Sequence, residues 1–224
     1  MPFGECYFYE ENLEKFKFSS RLNFLIQSKV KRGLVVKRTR TVVIDLRQKE
    51  EDIFAKLHKN YRYEINRSKK TDSVLMKWNI KPTNEEIDSF CSYYDDFALS
   101  INLPHSNRTK LYLFNRSQSL ILSQAKLNTN KALVQHALIY DNGRVRLLYS
   151  ASYFRNEVGK LRALIGRSNK ALHWFEILEA KKKGCKLYDF GGVSIKGETG
   201  CIDNYKRNFG GATWNEYTCV KLQF

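Results

Sequence analysis

The segment from 132 to 190 carries strand, helix and strand signals in that order, and this order restricts the fold more than any other feature. In "IYDNGRVRLLYS", Asn142 and Gly143 stand between two apolar runs, the strongest short signal for a β-hairpin. Ser168 can cap a helix, and four apolar residues then share one helical face: Ala171, Trp174, Phe175 and Leu178. Gly184 ends that helix, and "KLYDF" follows as a buried strand. The order predicts a βαβ-like unit.

The first half of the chain also alternates strands and helices. Apolar runs and period-two patterns predict strands over 34–46, 73–80, 119–127 and 132–140. Spacings of three and four predict helices over 50–70, after Thr83 and over 108–118. Thr83 with Glu86 three residues later forms a capping box, which marks where the second of these helices begins. The fold class is therefore α+β, in one domain, since no linker or internal repeat is visible.

The charge of the chain points to an anionic partner. Lys and Arg number 39 against 23 Asp and Glu, a formal net charge of +16. Such a field attracts nucleic acid, phosphorylated cofactors, nucleotide-sugars or an anionic membrane surface, although a solvated surface that only confers solubility is the alternative. The basic residues cluster at 29–40, 56–70 and 159–170.

Cysteine usage and hydropathy indicate a cytoplasmic protein. The five cysteines form no CxxC pair and predict reduced thiols. No apolar run approaches the roughly 18 residues of a membrane span, and the first residues lack the pattern of a signal peptide. No His, Cys and carboxylate cluster has the spacing of a metal site, so no metal is predicted.

The basic, glycine-containing stretch at 159–169 is the candidate anion site. If a helix begins near Ser168, its free N–H groups can bind phosphate. The predicted donor-binding residues are Arg162, Gly166, Arg167, Ser168 and Asn169. The stretch matches neither a P-loop nor a dinucleotide-binding fingerprint. An ordinary hairpin-to-helix loop with surface arginines is the alternative.

Three segments together resemble the FemABX-like acyltransferases, relatives of the GNAT acetyltransferases: "LHKNYRYEINRSKK", "NKALHWFEILEAKKKGCKLYDFGGV" and "YKRNFGG". The resemblance implies a GNAT-like mixed, mostly antiparallel central sheet flanked by helices. It divides the single domain, 1–224, into an N-terminal elaboration (1–40), an acceptor-side half (41–130) and a donor-binding half (131–224). It implies transfer of an acyl or aminoacyl group to an amine, often in cell-wall assembly. Because the peptidoglycan-building members are longer and have two such domains, this chain looks closer to acyl-CoA-dependent enzymes.

The resemblance also implies where the site lies. Lys206 matches a lysine that lies in the active site of the peptidoglycan-building members. Asp189 is predicted to orient Lys206 or accept the proton of the amine, or alternatively to cap the Gly191–Gly192 turn. Either His136 or His173 can serve as a base, although a packed histidine is favoured for both.

The donor is expected between two strands that separate, 144–151 and 186–190, with its pyrophosphate on the 159–169 loop. Three further residues are predicted to bind substrate: Tyr205, Arg62 and Tyr149. The Phe-Gly-Gly at 190–192 is predicted to lie beside the reacting carbonyl, and the Phe-Gly-Gly at 209–211 to turn Lys206 toward the same point.

Two functions stay open at this level. One is an N-acyltransferase that forms an amide on an amino sugar or another envelope precursor. Its favoured donor is acyl-CoA, such as acetyl-CoA, and aminoacyl-tRNA is the second candidate. The other is a non-catalytic module that binds RNA or another polyanion.

Overall fold

The computed structural model describes residues 3–7, 22–31, 33–194 and 200–222, which form nine strands in one sheet. The order across the sheet is β1-β2-β9-β3-β8-β7-β6-β5-β4. The strands are β1 (Phe3–Tyr7), β2 (Leu22–Ser28), β3 (Leu34–Asp45), β4 (Val74–Asn79), β5 (Leu120–Leu127), β6 (Ala132–Asp141), β7 (Arg144–Ser152), β8 (Leu187–Val193) and β9 (Ala212–Leu222). The β1–β2 and β7–β8 pairs are parallel, and the other neighbours are antiparallel. This confirms the predicted α+β class with a mixed, mostly antiparallel sheet.

The helices of the described residues follow the predicted order, with one additional helix at Cys201–Arg207 and two differences in where helices begin and end. They are α1 (Glu50–Lys56), α2 (Lys59–Thr71), α3 (Asn84–Ser100), α4 (Arg108–Arg116), α5 (Gly159–Lys182) and α6 (Cys201–Arg207), with a 3₁₀ turn at Tyr153–Asn156. The predicted single helix over 50–70 is two helices, because Leu57 is extended and His58 caps α2 by accepting from the N–H of Asn60. The second difference is the start of α5, which bears on the site. Among these helices, none has both the length and the apolar character of a membrane span.

Helices cover both faces of the sheet. On one face, α1, α2 and α5 contribute side chains such as Ile65 and Ile177 to the largest buried cluster. On the other face, α3 and α4 form a second cluster around Phe90. Leu120 and Ile121, consecutive on β5, belong to the second and the first cluster respectively, as alternation along a strand requires. The sheet is therefore the middle of three layers.

The stretch 1–40, expected as an N-terminal elaboration, extends this sheet in its described part. β2 pairs with β9, and β9 pairs along β3 from Leu34 to Val43. The first residues of β3 are exposed, and the strand becomes buried only from Thr41, where it enters the helix-covered region. Strands β1, β2 and β9 therefore lie on one side of β3, and the helix-covered strands lie on the other.

Candidate active site

The centre of the sheet opens where β7 and β8 separate. Their parallel pairing covers three residues of each strand and ends at Arg146 opposite Asp189. Just beyond that point each strand carries one extra residue relative to its other neighbour: β7 near Leu148 against β6, and β8 near Phe190–Gly191 against β3. A bulge bends the strand that carries it, so two bulges at one level turn the strands apart. The predicted separation of these two strands is what the structure has.

The gap is a cleft of about 500 Å³. Residues of β7 from Leu147 and of β8 from Phe190 line it. The lining also includes residues of α5 and of the 3₁₀ turn before it, of α6, and of the C-terminal half of α3. The cleft therefore brings together residues from 94 to 206, which no single sequence motif contains.

Lys206 lies in this cleft, on α6. Its Nζ donates to the carbonyl oxygen of Gly192 at 2.6 Å. Burial, followed by the charge of Arg146, lowers the pKa of Lys206, while Asp189 and Asp203 raise it in part. The ammonium is thus held at the mouth of the gap by a main-chain acceptor, without a direct carboxylate partner among the residues that the structure describes.

Two of the three residues predicted to bind substrate line the cleft. The hydroxyl of Tyr205 is buried and has no hydrogen-bond partner among the described residues. The hydroxyl of Tyr149 accepts from the N–H of Asn107 at 3.1 Å. Arg62 lies elsewhere: it donates to the carbonyls of Ala55 and Leu57, where α1 ends. The guanidinium of Arg62 therefore joins α1 to α2 outside the cleft, and substrate binding by Arg62 stays a prediction.

Asp189 is also not in the cleft. Its side chain is fully buried. Oδ1 accepts from Thr41 and, at 2.7 Å, from the N–H of Gly191, while Oδ2 accepts from Arg144 and Arg146. The prediction of a catalytic Asp189 is wrong, since all its acceptor sites are occupied. The alternative, a carboxylate that caps the turn after it, is what the structure has.

This carboxylate is part of a buried charge network. Arg144 and Arg146 lie between Asp189 on β8 and Glu216 on β9, so two cations face two anions. Burial would raise the pKa of Asp189, but Arg146 and Arg144 lower it overall. Burial raises the pKa of Glu216, which shares the same guanidinium groups. The network links β7, β8 and β9 at Arg146 and Asp189, the last paired residues before β7 and β8 separate.

The predicted phosphate loop is helical. α5 begins at Gly159, with Val158 as an N-cap that makes no side-chain bond. The N–H groups of 166–169 are inside the helix, so the prediction that they are free to bind phosphate is wrong. The helix starts early because Ile165 and Ser168 continue its buried face. The ring of Phe154 also packs directly against Gly166: a Cβ on that residue would lie 3.1 Å from the ring.

The side chains of residues 159–169 make different contacts and do not converge on one point. Arg167 makes a bidentate ion pair with Asp72: Nε donates to Oδ2 at 2.7 Å and Nη2 donates to Oδ1 at 2.8 Å. The guanidinium of Arg162 lies over the ring of Phe154, 4.7 Å from its centre. The hydroxyl of Ser168 is buried without a partner among the described residues. Asn169 lines the cleft, as does Gly166.

A buried polar cluster behind the cleft was not predicted. Oε1 of Glu176 accepts from His136 Nδ1 at 2.7 Å and from the hydroxyl of Ser123. Oε2 accepts from the hydroxyl of Tyr188, which lies 2.9 Å from Nδ1 of His173. The ligand atoms of His136, His173 and Glu176 lie within 4.8 Å of one another, close enough to share a metal ion, but here they bond to one another and to the two hydroxyls. The only sequence signal is the spacing of three between His173 and Glu176, which places them on one helix face.

The two Phe-Gly-Gly runs have different roles. The rings of Phe190 and Phe209 lie 4.6 Å apart, and both contact His173. Gly191 lines the cleft with φ +78°, and a Cβ there would lie 3.1 Å from the carbonyl oxygen of Leu147. Gly210 has φ +75° and passes so close to α1 that a Cβ would lie 2.5 Å from the carbonyl oxygen of Lys56. The first run borders the cleft, and the second ends α6 and packs against α1 and β3.

Comparison with solved structures identifies the fold. FemX superposes with a TM-score of 0.64 over 88% of this chain and 66% of its own, at 12% identity. The chain has a FemX-like fold. The C-terminal domain of an Agrobacterium fabrum protein assigned as a lysylphosphatidylglycerol synthetase matches with a TM-score of 0.57 at 9% identity, covering 88% of this chain and 66% of that one. L-PGS from Bacillus licheniformis gives 0.55 at 12% identity, with coverages of 88% and 67%.

These matches show a shared fold and confirm the FemABX/GNAT-like architecture that the sequence resemblance implied. No protein-family model matches the sequence, and no curated protein matches it. The chain spans about two thirds of the FemX structure, 66% of its length. The FemX-like fold fixes the path of the backbone around the cleft, and what the cleft binds has to be argued from the residues in it.

Proposed function

We propose that this protein is an acyltransferase that forms an amide. It moves an acyl or aminoacyl group from a donor in the β7–β8 cleft to an amine. The observation that carries the proposal is the cleft itself: an opening between two parallel strands whose facing edges are unpaired beyond Arg146 and Asp189, with the Lys206 ammonium at its mouth. The FemX-like fold supports it, since the similar structures include an enzyme named for synthesis of an aminoacyl product.

The cleft favours a slender donor such as acyl-CoA over aminoacyl-tRNA. Unpaired strand edges offer N–H and C=O groups, and an extended ligand with its own amides can pair with them as an added strand. The pantetheine arm of coenzyme A is such a ligand. A cleft of about 500 Å³ suits a chain of this width.

The donor phosphates are proposed to lie at the start of α5. The first turn has no acidic residue, and the first four N–H groups of a helix lack intrahelical partners. Lys160 and Arg162 are exposed on this turn, and Arg155, in the 3₁₀ turn before it, lines the cleft. Cations beside a helix start are a favourable place for a pyrophosphate.

Lys206 is proposed to stabilise the oxyanion that forms when the amine attacks the acyl carbonyl. A cation already positioned in a partly buried site needs no reorganisation during the reaction. Losing one such partner costs about 3–4 kcal/mol of transition-state stabilisation. The acceptor is proposed to be the amine of an amino sugar or another envelope precursor, entering along Tyr149 and Tyr205.

The direct test is product formation. The protein is incubated with acetyl-CoA or longer acyl-CoAs and a panel of amino sugars and amino-acid amines, and amide products are sought by mass spectrometry. Parallel reactions supply aminoacyl-tRNA. Donor affinity is measured separately by calorimetry. An amide formed only with protein present supports the proposal, whereas no amide with either donor class and no donor binding would refute it.

A second candidate is a polyanion-binding module without chemistry, favoured by the net charge of +16. It predicts salt-dependent binding of tRNA or other RNA with no product. The two functions differ at Lys206. Replacing one lysine changes non-specific RNA binding slightly, but it removes most of the turnover of a transferase.

A further inference from the structure

We propose that His173 is the general base of this reaction, with its Nε2 taking the proton of the attacking amine, and that Tyr188 and Glu176 are positioning residues behind it. The proposal rests on the acyl-transfer function proposed above. It comes from the buried cluster behind the cleft, which joins the cleft through His173 and Asn169.

The hydrogen bonds of His173 determine which ring nitrogen carries the proton. Nδ1 lies 2.9 Å from the hydroxyl oxygen of Tyr188, and that hydroxyl donates to Oε2 of Glu176. Since a hydroxyl has one hydrogen and gives it here to the carboxylate, its oxygen accepts from Nδ1. Nδ1 therefore bears the proton, and Nε2 carries a free lone pair.

That lone pair is left for a ligand. Within the described part of the chain, the hydrogen bonds and ion pairs of His173 all use Nδ1. The ring is 1% exposed and lines the cleft, with the centroids of Phe190 and Tyr205 at 5.1 and 5.9 Å. Tyr205, whose buried hydroxyl has no partner among the described residues, lines the same cleft. A ring nitrogen and a hydroxyl without partners in the described part of the chain, on two residues that line one cleft, favour a site for a polar ligand.

The surroundings keep His173 in the form that accepts a proton. Burial, then the neighbouring His136, lowers the pKa of His173 to about 4. Lys206 acts in the same direction and Glu176 in the opposite one. At pH 7 the ring is therefore neutral. Burial raises the pKa values of the two tyrosines at the ring, Tyr188 and Tyr205, well above the usual range, so both stay protonated.

Glu176 supplies the charge that the protonated ring needs. Burial raises its pKa, but the charges and hydrogen bonds of His136 and His173 lower it overall, so the carboxylate stays ionised. A buried carboxylate behind an imidazole orients the ring and stabilises the imidazolium formed when the far nitrogen takes a proton. Here Oε2 of Glu176 lies 3.3 Å from Nδ1 of His173, and the hydroxyl of Tyr188 contacts both groups.

The step balances without a further reactant. The amine nitrogen bonds to the acyl carbon, and the carbonyl electron pair moves to oxygen beside Lys206. The nitrogen becomes strongly acidic as this bond forms, so a weakly basic imidazole is sufficient, and Nε2 of His173 takes its proton. When the oxyanion collapses, the bond from carbon to the donor's sulfur or oxygen breaks. The leaving group departs with the electron pair and receives the proton from His173.

The first test needs no substrate. NMR of the folded protein with ¹⁵N-labelled histidine reports which nitrogen of each ring is protonated. At pH 7 we expect His173 to be neutral, with its proton on Nδ1 and a bare Nε2. A proton on Nε2, or a charged ring at pH 7, would overturn the proposal.

The second test separates a base from a structural support. His173→Asn places an amide nitrogen near the position of Nδ1, so it can still donate to Tyr188, but it has nothing at the position of Nε2. We expect kcat to fall by about 10²–10⁴-fold, with unchanged donor affinity. The loss should be smaller with hydroxylamine as the acceptor, after subtraction of the uncatalysed rate, because its nitrogen needs less help to lose a proton.

His173→Gln is the matched variant, because its amide reaches toward Nε2 and loses the bond to Tyr188. If His173 only supports Tyr188, the Asn variant keeps turnover and the Gln variant loses it, and this pattern would overturn the proposal. Wild-type turnover in a folded Asn variant refutes the base but leaves the acyltransferase intact. A wild-type protein that makes no amide refutes the function, and the role of His173 with it.

Discussion

Replacing Asp189 by Asn is expected to destabilise the fold rather than only impair catalysis. Oδ1, which accepts from Thr41 and the N–H of Gly191, can be retained by the amide oxygen of Asn. Oδ2, which accepts from Arg144 and Arg146, becomes an NH₂ group that faces two guanidinium groups. The variant therefore leaves a buried cation without its counter-ion.

Breaking one partner of a buried ion pair costs about 3–5 kcal/mol of the free energy of unfolding. For a domain of this size, that lowers Tm by about 6–20 °C. Asp45→Asn is the matched control, since Asp45 also holds an arginine, Arg47, at 2.8 and 2.7 Å but on the surface. Its expected cost is about 0–1 kcal/mol. Both are measured by calorimetric thermal unfolding.

The effect should also depend on pH. Arg146 and Arg144 lower the pKa of Asp189 in the folded state below the value of about 3.9 of an unfolded chain. A group with a lowered folded pKa stabilises the fold above its unfolded pKa, and this stability is lost as pH falls through the folded pKa. The difference in Tm between wild type and Asp189→Asn should therefore shrink from pH 6 to pH 3. An Asn variant that melts within about 2 °C of wild type, yet has lost turnover, would refute this reasoning and return Asp189 to the active site.

Two further predictions concern a turn and the donor site. Gly210→Ala should cost at least about 2 kcal/mol of the free energy of unfolding in urea, because a Cβ at φ +75° clashes with Lys56. Gly184→Ala is the control: it has the same φ but no neighbour within 4 Å, and should cost only about 1–2 kcal/mol. Equal costs for the two variants would contradict the clash. Arg162→Ala should raise the donor Kd several-fold in calorimetry, whereas Arg167→Ala, which loses its ion pair with Asp72, should mainly lower Tm. The reverse pattern would place the donor phosphates at Arg167.

Local sequence signals predicted the structure correctly where neighbouring residues alone determine it. The box of Thr83 and Glu86 caps α3 with both predicted bonds. Asn142 and Gly143 both have positive φ, 48° and 74°, as the tight turn of a β-hairpin demands. These features depend on residues within a few positions of one another, so one short stretch contains the whole explanation.

The start of α5 shows how tertiary packing overrides a local pattern. Two glycines and several cations at 159–169 are typical of a loop. The helix nevertheless includes them, because Phe154 packs over Gly166 and Ile165 is buried. That packing depends on the 3₁₀ turn before the helix, which the sequence pattern did not predict.

The polar networks of the site could not be read from the sequence, because their members are far apart in it. Thr41 and Asp189 are separated by 148 residues, and Ser123 and Glu176 by 53. Only the order of the strands in the sheet brings them together. For the same reason Asp189, which lies next to the matched glycines, was assigned to catalysis although it binds two arginines. Lys206 was placed near the cleft by family resemblance, not by any local pattern.

The most direct test of the proposed acyl transfer is a comparison of Lys206→Met with wild type, in turnover and donor affinity measured on the same samples. The variant should fold and bind the donor normally, while kcat falls about 10²-fold or more, the scale for losing one oxyanion partner. Lys206→Arg should recover part of the rate, since a planar guanidinium does not replace a compact ammonium. Near-normal turnover in Lys206→Met would contradict the proposal that this lysine stabilises the oxyanion in the β7–β8 cleft.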